Sequence, residues 1–388
     1  MQASEILEPR KFVAPEFIFG LGARHLAGRY AQNLGARKVL VVTDPGVIAA
    51  GWTHQVTESL EQSALDYTVF AKITSNPRAE EVMEGVEVYR QEKCNFIIAV
   101  GGGSPMDCAK GIGISSSNQV HILDFEGVDE VQTPGPPLVC IPTTAGSAAE
   151  VSQFAIITHS REQRKIAIIS KMVVPDAALI DPETTTTMDA RLTAATGMDV
   201  LTHAVEAYVS NASSPITDLH ALEAIRLVAV YLLSAIARPD DMVARGKMML
   251  ASTHAGLAFS NASLGAVHAM AHSLGGYLDT PHGEANALLL RHVLAFNFEA
   301  VPERCAAIGE ALGAELQGAS EQTIKAVVIE KVASLQEEAG VSYTLSTLGV
   351  RPDDIPTLAY KAMRDPCMAT NPRRPTQKDI ETIYEEAF

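Results

Sequence analysis

The pattern of apolar and polar positions changes near the middle of the chain. In the first half, short β-branched runs alternate with helical stretches. Residues 38–44 form such a run and end in the polar turn Asp44-Pro45-Gly46. A helix is expected over 55–62, a strand over 66–70, a helix over 78–93 and a strand over 95–100. That last strand runs into Gly101-Gly102-Gly103-Ser104-Pro105, with a helix expected from Met106. A further strand is expected over 138–141, after the Pro-rich loop 134–137. Alternation of this kind predicts parallel βαβ units, buried on both faces.

Near residue 185 the strand pattern stops. Thr184 to Thr187 and Asp189 make a polar junction rich in capping residues. Beyond it, helices are expected over 191–209, 217–237, 242–259, 264–278, 285–300, 303–312, 321–338, 355–363 and 377–386. The greasiest stretch, 227–237 after Arg226, is too short to span a membrane and reads as a buried helix. The expected fold class is therefore α/β plus all-α. Residues 1–187 are expected to form a dinucleotide-binding α/β domain and 188–388 an all-helical domain. A cleft between two such domains is a usual place for cofactor and substrate.

Composition narrows the functional classes. A chain of 388 residues has room for two or three domains of about 150 residues each. Apolar residues make up 47% and charged residues 20%, which is ordinary for a globular protein. Thirty Lys and Arg against 46 Asp and Glu give a net charge of −16. An acidic chain with no basic cluster is a poor partner for nucleic acid or an anionic membrane. The five cysteines (94, 108, 140, 305 and 367) are widely spaced and form no CxxC. They read as small apolar residues in a reducing cytoplasm, and only Cys108 sits beside a candidate site. The first twelve residues have no apolar core, so no secretory signal is expected.

Three strand ends in the first half carry candidate cofactor chemistry. Glycines 101–103 would let the backbone approach a phosphate, at the N-terminus of the helix that follows. Ser104 adds a hydroxyl donor. This is neither GxGxxG nor a Walker loop, and by itself it is equally a tight turn. Asp44 could accept hydrogen bonds from a ribose diol and would repel a 2′-phosphate, favouring NAD over NADP. Alone it is equally a turn-capping residue. Thr143, Thr144 and Ser147 follow the next strand. One bound dinucleotide explains all three segments together better than three separate coincidences do.

The helical half carries Asp199 with His203, and His268 with His272, each pair at i, i+4 and so on one helix face. His282 lies in what reads as a turn after Gly275-Gly276. One carboxylate with two or three imidazoles suits a divalent cation such as Fe²⁺ or Zn²⁺. Each histidine also has a structural reading, and His25, His54, His121, His159, His220, His254 and His292 are assigned to that by default.

Longer segments then become recognisable. Residues 101–110, 142–146, 174–182, 194–208, 265–276 and 370–376 together resemble the iron-containing, group III alcohol dehydrogenases, nearly end to end. The resemblance implies a Rossmann-like N-terminal domain and a helical C-terminal domain in a dehydroquinate synthase-like architecture. It implies Asp199, His203, His268 and His282 as metal ligands, with iron favoured and zinc the alternative. His272 would be the non-ligating histidine that relays protons. NAD contacts would come from Asp44, Asn76, Gly102, Gly103, Ser104, Asp107, Thr143, Thr144, Ser147, Phe154 and Lys165. The implied activity is hydride transfer between NAD and a small primary alcohol or aldehyde, with the metal a Lewis acid on the substrate oxygen. A homodimer or larger homo-oligomer is expected as well, through helix faces of the second half. The alternatives are a zinc polyol dehydrogenase acting on a substrate such as glycerol, a synthase on the same scaffold, and a low-turnover sensor of alcohol or NAD. One departure stands out: Ala148 replaces a glycine usual in the family's PTTAGTGSE segment.

Overall fold

The computed structural model describes residues 9–341 and 343–388. Most of the N-terminal stretch weighed as a leader lies outside these residues. In chain order the elements are β1 (Glu16–Phe19), α1 (Ala27–Asn33), β2 (Lys38–Val42), α2 (Pro45–Ala49), α3 (Trp52–Gln62), β3 (Asp66–Phe70), α4 (Ala79–Gln91), β4 (Phe96–Gly101), α5 (Gly103–Asn118), β5 (Gly127–Val128), β6 (Leu138–Pro142), β7 (Phe154–His159), β8 (Arg164–Ile169) and β9 (Ala177–Ile180). Helices follow: α6 (Ala190–Val209), α7 (Pro215–Ala237), α8 (Met242–Ala262), α9 (Ala266–Leu278), α10 (His282–Asn297), α11 (Pro302–Ala311), α12 (Glu321–Glu338), α13 (Ile355–Ala362) and α14 (Gln377–Glu386). Among the described residues no strand follows β9.

The main sheet has the order β1-β9-β6-β4-β2-β3, with every pairing parallel. Alternate residues of one strand enter different cores. Leu40, Val42, Ile97 and Ala99 join the cluster on one face, and Val39, Val41, Phe96 and Ile98 the cluster on the other. Apolar side chains on both faces require helices on both faces. The chain leaves β2 toward β3 and leaves β4 toward β6, so the order reverses between β2 and β4. A crevice opens outside the carboxyl ends of strands at such a point. Asp44 and the glycine turn flank it.

The sequence reading missed β1, β9 and a small second sheet, β5-β8-β7. In that sheet β7 and β8 pair antiparallel through a four-residue turn, Ser160 to Gln163. β7, β8 and β9 are short and largely buried on both faces, so no period-two signal marks them. The helix expected from Met106 starts at Gly103, which puts Gly103 and Ser104 in its first turn. His282 opens α10 instead of sitting in a turn, because Pro281 can precede a first helical residue. The greasy stretch 227–237 is the second half of α7. At 23 residues α7 is long and apolar enough to cross a membrane by length and composition alone. It also carries Asp218, His220, Glu223 and Arg226, packs against α6 and α8, and fully buries Ala221, Ile225, Val228 and Leu232. One large cluster of apolar side chains unites the helical half.

Candidate active site

Every residue proposed for the cofactor, the metal or proton transfer lines a single cleft of about 870 Å³. The strand-end wall is built by close backbone approach. Gly101 has φ +154°, and a Cβ there would stand 2.6 Å from Pro105 Cγ. A Cβ on Gly103 would stand 3.0 Å from Ser147 Cβ and Oγ. Thr143 N–H donates to Gly101 O at 2.9 Å, which joins this turn to the loop after β6. Ser104 Oγ donates to Ser75 O at 2.5 Å. Asp44 is the N-cap of α2 and accepts from Val47 N–H through Oδ1 at 3.0 Å. Asp44 thus caps α2 and also lines the cleft.

Ala148 has φ +49°, a left-handed conformation that favours glycine. Its Cβ fits because the facing residue is Gly256, whose own Cβ would come within 2.5 Å of it. The departure from the family segment is thus absorbed across the interface with α8. Asp107 accepts from Ile156 N–H at 3.2 Å, and burial pushes its carboxyl up to about 6 against the pull of Lys110. Burial pushes Lys165 down to about 8, opposed by Asp107, Asp199 and other carboxylates. Asn76 Nδ2 donates to Asp279 Oδ1 at 2.7 Å. Phe154 is buried edge-on against Phe259, 5.7 Å between centroids, and Phe259 stacks on His203 at 4.4 Å. That contact places Phe154 near the histidines.

The helical wall is built by side chains. Asp199 and His203 come from α6, His268 from α9 and His282 from α10. One ligating atom from each lies within 4.8 Å of the others. Asp199 stands 3.8 Å from His203 Nδ1, 3.9 Å from His268 Nε2 and 3.8 Å from His282 Nε2. These gaps are too wide for hydrogen bonds. Two donors on one tetrahedral ion, each with a bond of about 2.1 Å, stand roughly 3.4 Å apart. Buried His203 Nδ1 has no hydrogen-bond partner. Burial pushes His203 down to about 4 and His268 to about 3, and holds His282 well below its ordinary value. The imidazoles are neutral at pH 7, and each carries a ring-nitrogen lone pair that a cation could take. The donor set fits a divalent cation.

Three residues missed by the sequence reading support this set and the neighbouring His272. Glu206 Oε2 lies 2.6 Å from His268 Nδ1, and Oε1 accepts from Val267 N–H at 2.6 Å. The same carboxylate thus orients the imidazole and caps α9. Burial raises its carboxyl to about 7, while the backbone donors of α9 pull it back. The clue was legible: Glu206 follows His203 by three residues on the same helix face. Asn286 donates to Asp199 Oδ1 at 2.6 Å. It follows His282 by four, a relation hidden when His282 is read as a turn residue. Asp365 Oδ2 lies 2.8 Å from His272 Nδ1. No local signal exists for that contact, which spans 93 residues.

His272, Asp365 and Cys367 are also close enough to share a cation. Both Asp365 oxygens are engaged, however, Oδ2 with His272 and Oδ1 with Cys367 N–H at 2.8 Å. This group reads as support for the imidazole. Burial raises the Cys108 thiol well above its ordinary value, which leaves it a packing residue. His220 and His254 meet through their Nδ1 atoms at 2.9 Å and form a structural pair.

Residues 14–182 match the family model described as iron-containing alcohol dehydrogenase, and residues 193–388 match that of the family's C-terminal part. The chain is 41% identical over 372 residues to a 1,3-propanediol dehydrogenase of Citrobacter freundii, covering 95% of this chain and 96% of that one. It is 38% identical over 377 residues to an NAD-dependent methanol dehydrogenase of Bacillus methanolicus, covering 97% and 99%. A crystal structure of a 1,3-propanediol oxidoreductase superposes with a TM-score of 0.95 at 39% identity, covering 98% of this chain and 100% of that one. An alcohol dehydrogenase from Oenococcus oeni does so with 0.95 at 36% identity and the same coverage.

Proposed function

The chain belongs to the iron-containing alcohol dehydrogenase family, and from that premise we propose that it interconverts a short primary alcohol and its aldehyde with NAD. The observation that carries this reading is the shared cleft. An Asp-His-His-His cluster, with Asp199, His203 and His268 buried and His282 half-buried, and three strand ends suited to a dinucleotide open on the same cavity. Asp199, His203, His268 and His282 would hold a divalent cation that supplies Lewis acidity toward the substrate oxygen, while NAD supplies the hydride acceptor. The donor set accommodates Fe²⁺ and Zn²⁺ alike. The family favours iron.

The chain's own residues do the positioning. The backbone at Gly102, Gly103 and Ser104 is open to a pyrophosphate, with Thr143, Thr144 and Ser147 beside it. Asp44 would face the ribose, and Asn76, Asp107, Phe154 and Lys165 would complete the dinucleotide wall. Phe259 and Leu264 present apolar side chains to the cleft and would keep water from the reacting carbon. Asp365 holds the Nδ1 proton of His272, which leaves Nε2 to pass the substrate's proton toward solvent. We assign 1–187 to dinucleotide binding and 188–388 to metal and substrate. The five free, buried thiols support a reducing cytoplasm. The acidic charge supports neither a nucleic-acid nor a membrane partner, and a homodimer or larger homo-oligomer completes the proposal.

The test is NADH formation from methanol, ethanol, butanol and 1,3-propanediol, and NADH consumption with lactaldehyde, on anaerobically purified enzyme with its metal determined. Turnover that rises with iron content is the expected result. A fully iron-loaded protein with no turnover, active only with zinc, would overturn the iron assignment. NAD binding without turnover at full metal occupancy would leave the sensor.

A further inference from the structure

Asn286 stands one helical turn after His282 on α10 and is fully buried. Its Nδ2 lies 2.6 Å from Asp199 Oδ1 and 3.1 Å from both His268 Nε2 and His282 Nε2. Three of the four candidate ligands converge on one amide nitrogen. The amide oxygen, Oδ1, is buried and has no hydrogen-bond partner. The side chain is held by its nitrogen end alone.

Chemistry fixes that orientation. Glu206 engages His268 Nδ1, so His268 Nε2 presents a lone pair to the centre. Asp199 Oδ1 is an acceptor. With the amide turned round, Oδ1 would face a carboxylate oxygen at hydrogen-bond distance with no proton between them. The lone pairs that Asn286 touches are the ones a divalent cation would take.

We propose that Asn286 is a built-in substitute for the cation. In the metal-free enzyme its N–H protons engage Asp199, His268 and His282 and keep them gathered around the centre. These bonds must break when the ion binds, so the residue sets how tightly and how reversibly the metal is held. An NH₂ group has two protons for three acceptors, and His203 Nδ1 has no partner at all. The substitute is therefore incomplete, and the ion displaces it. Any group that stabilises only the metal-free state lowers metal affinity by the same factor. Asn286 is a positioning residue, and the inference rests on the metal reading above.

The test uses the full-length enzyme, stripped with EDTA and titrated with Co²⁺ against a competing chelator. The visible Co²⁺ absorption and the melting temperatures of metal-free and Co²⁺-loaded protein are recorded. In Asn286→Ala the Co²⁺ affinity is expected to rise about tenfold, from the loss of a charged hydrogen bond in the metal-free state. The metal-free melting temperature is expected to fall by about 2 °C, with the loaded value nearly unchanged. Asn286→Asp, which offers a carboxylate and no donor, should move both quantities further in the same directions. Weaker Co²⁺ binding by Asn286→Ala, or an equal fall in both melting temperatures, overturns this inference alone. Wild-type enzyme that takes up no Co²⁺ overturns the metal reading and this inference with it.

Discussion

Where strand ends form the cleft, close backbone approach shapes the wall; where helices form it, a cluster of polar side chains does. The first wall works by what is missing. Gly103 lets α5 lie against Ser147, and a single added Cβ would close the gap. The second wall works by what is present. Asp199, His203, His268 and His282 come from three helices, and two of the imidazoles are oriented or contacted by further buried polar groups. The two kinds of wall fail differently. Crowding harms the first, whereas removal of a donor harms the second. Damage to one should leave the other's ligand in place.

The largest effect should come from the helical wall. His268→Ala is expected to lose about 10³-fold or more in turnover, because the cation's charge stabilisation goes with it. Steady-state rates with a saturating alcohol would measure that. Next is Glu206→Gln. The amide cannot hold the Nδ1 proton of His268 as a carboxylate does, and loss of such a partner typically costs about 10–100-fold in metal affinity. Competition with a chelator reads this, and an unchanged affinity would mean that Glu206 only caps α9.

Gly103→Ala tests the opposite wall. Its Cβ, 3.0 Å from Ser147, should raise KM for NAD about tenfold through local overpacking, with bound metal unchanged. Metal loss in this variant would mean that the walls are not independent. A smaller effect is expected at Lys165. Burial lowers its value to about 8, below the ordinary 10.5. The unfolded chain therefore holds the extra proton between these values, and stability rises with pH across that window. Lys165→Met should melt a few degrees higher than wild type at pH 7, and the difference should shrink by pH 10. The smallest effect is at Ala148. Its left-handed backbone costs about 1 kcal/mol for a residue with a Cβ, partly offset by the greater freedom of unfolded glycine. Ala148→Gly should stabilise the protein by about 0.5 kcal/mol in thermal melts.

The same contrast explains what could be read from sequence. Asp44, the glycine turn and Thr143 each sit at the end of an apolar strand, so local pattern finds them. That three such ends meet follows from β4 pairing with both β2 and β6. The i, i+4 pairs on α6 and α9 were equally legible, because one helix sets their spacing. Contacts between elements were not. Asp365 reaches His272 from 93 residues away, and nothing near either residue announces it. Asn286 was hidden by a boundary error, since a helix beginning at His282 puts both on one face. The β7–β8 pair escaped because strands buried on both faces show no alternation, and Phe154, which opens β7, was read as a cofactor contact without its Phe259 neighbour.

One signal reports on both walls at once. The chain has a single tryptophan, Trp52, and it lines the cleft. Quenching of its fluorescence by NADH, measured on His268→Ala with bound metal determined on the same sample, tests most directly whether one cleft holds two independent sites. The account predicts wild-type NADH quenching with the metal gone. Metal retained at the wild-type level, or quenching lost together with the metal, would contradict it.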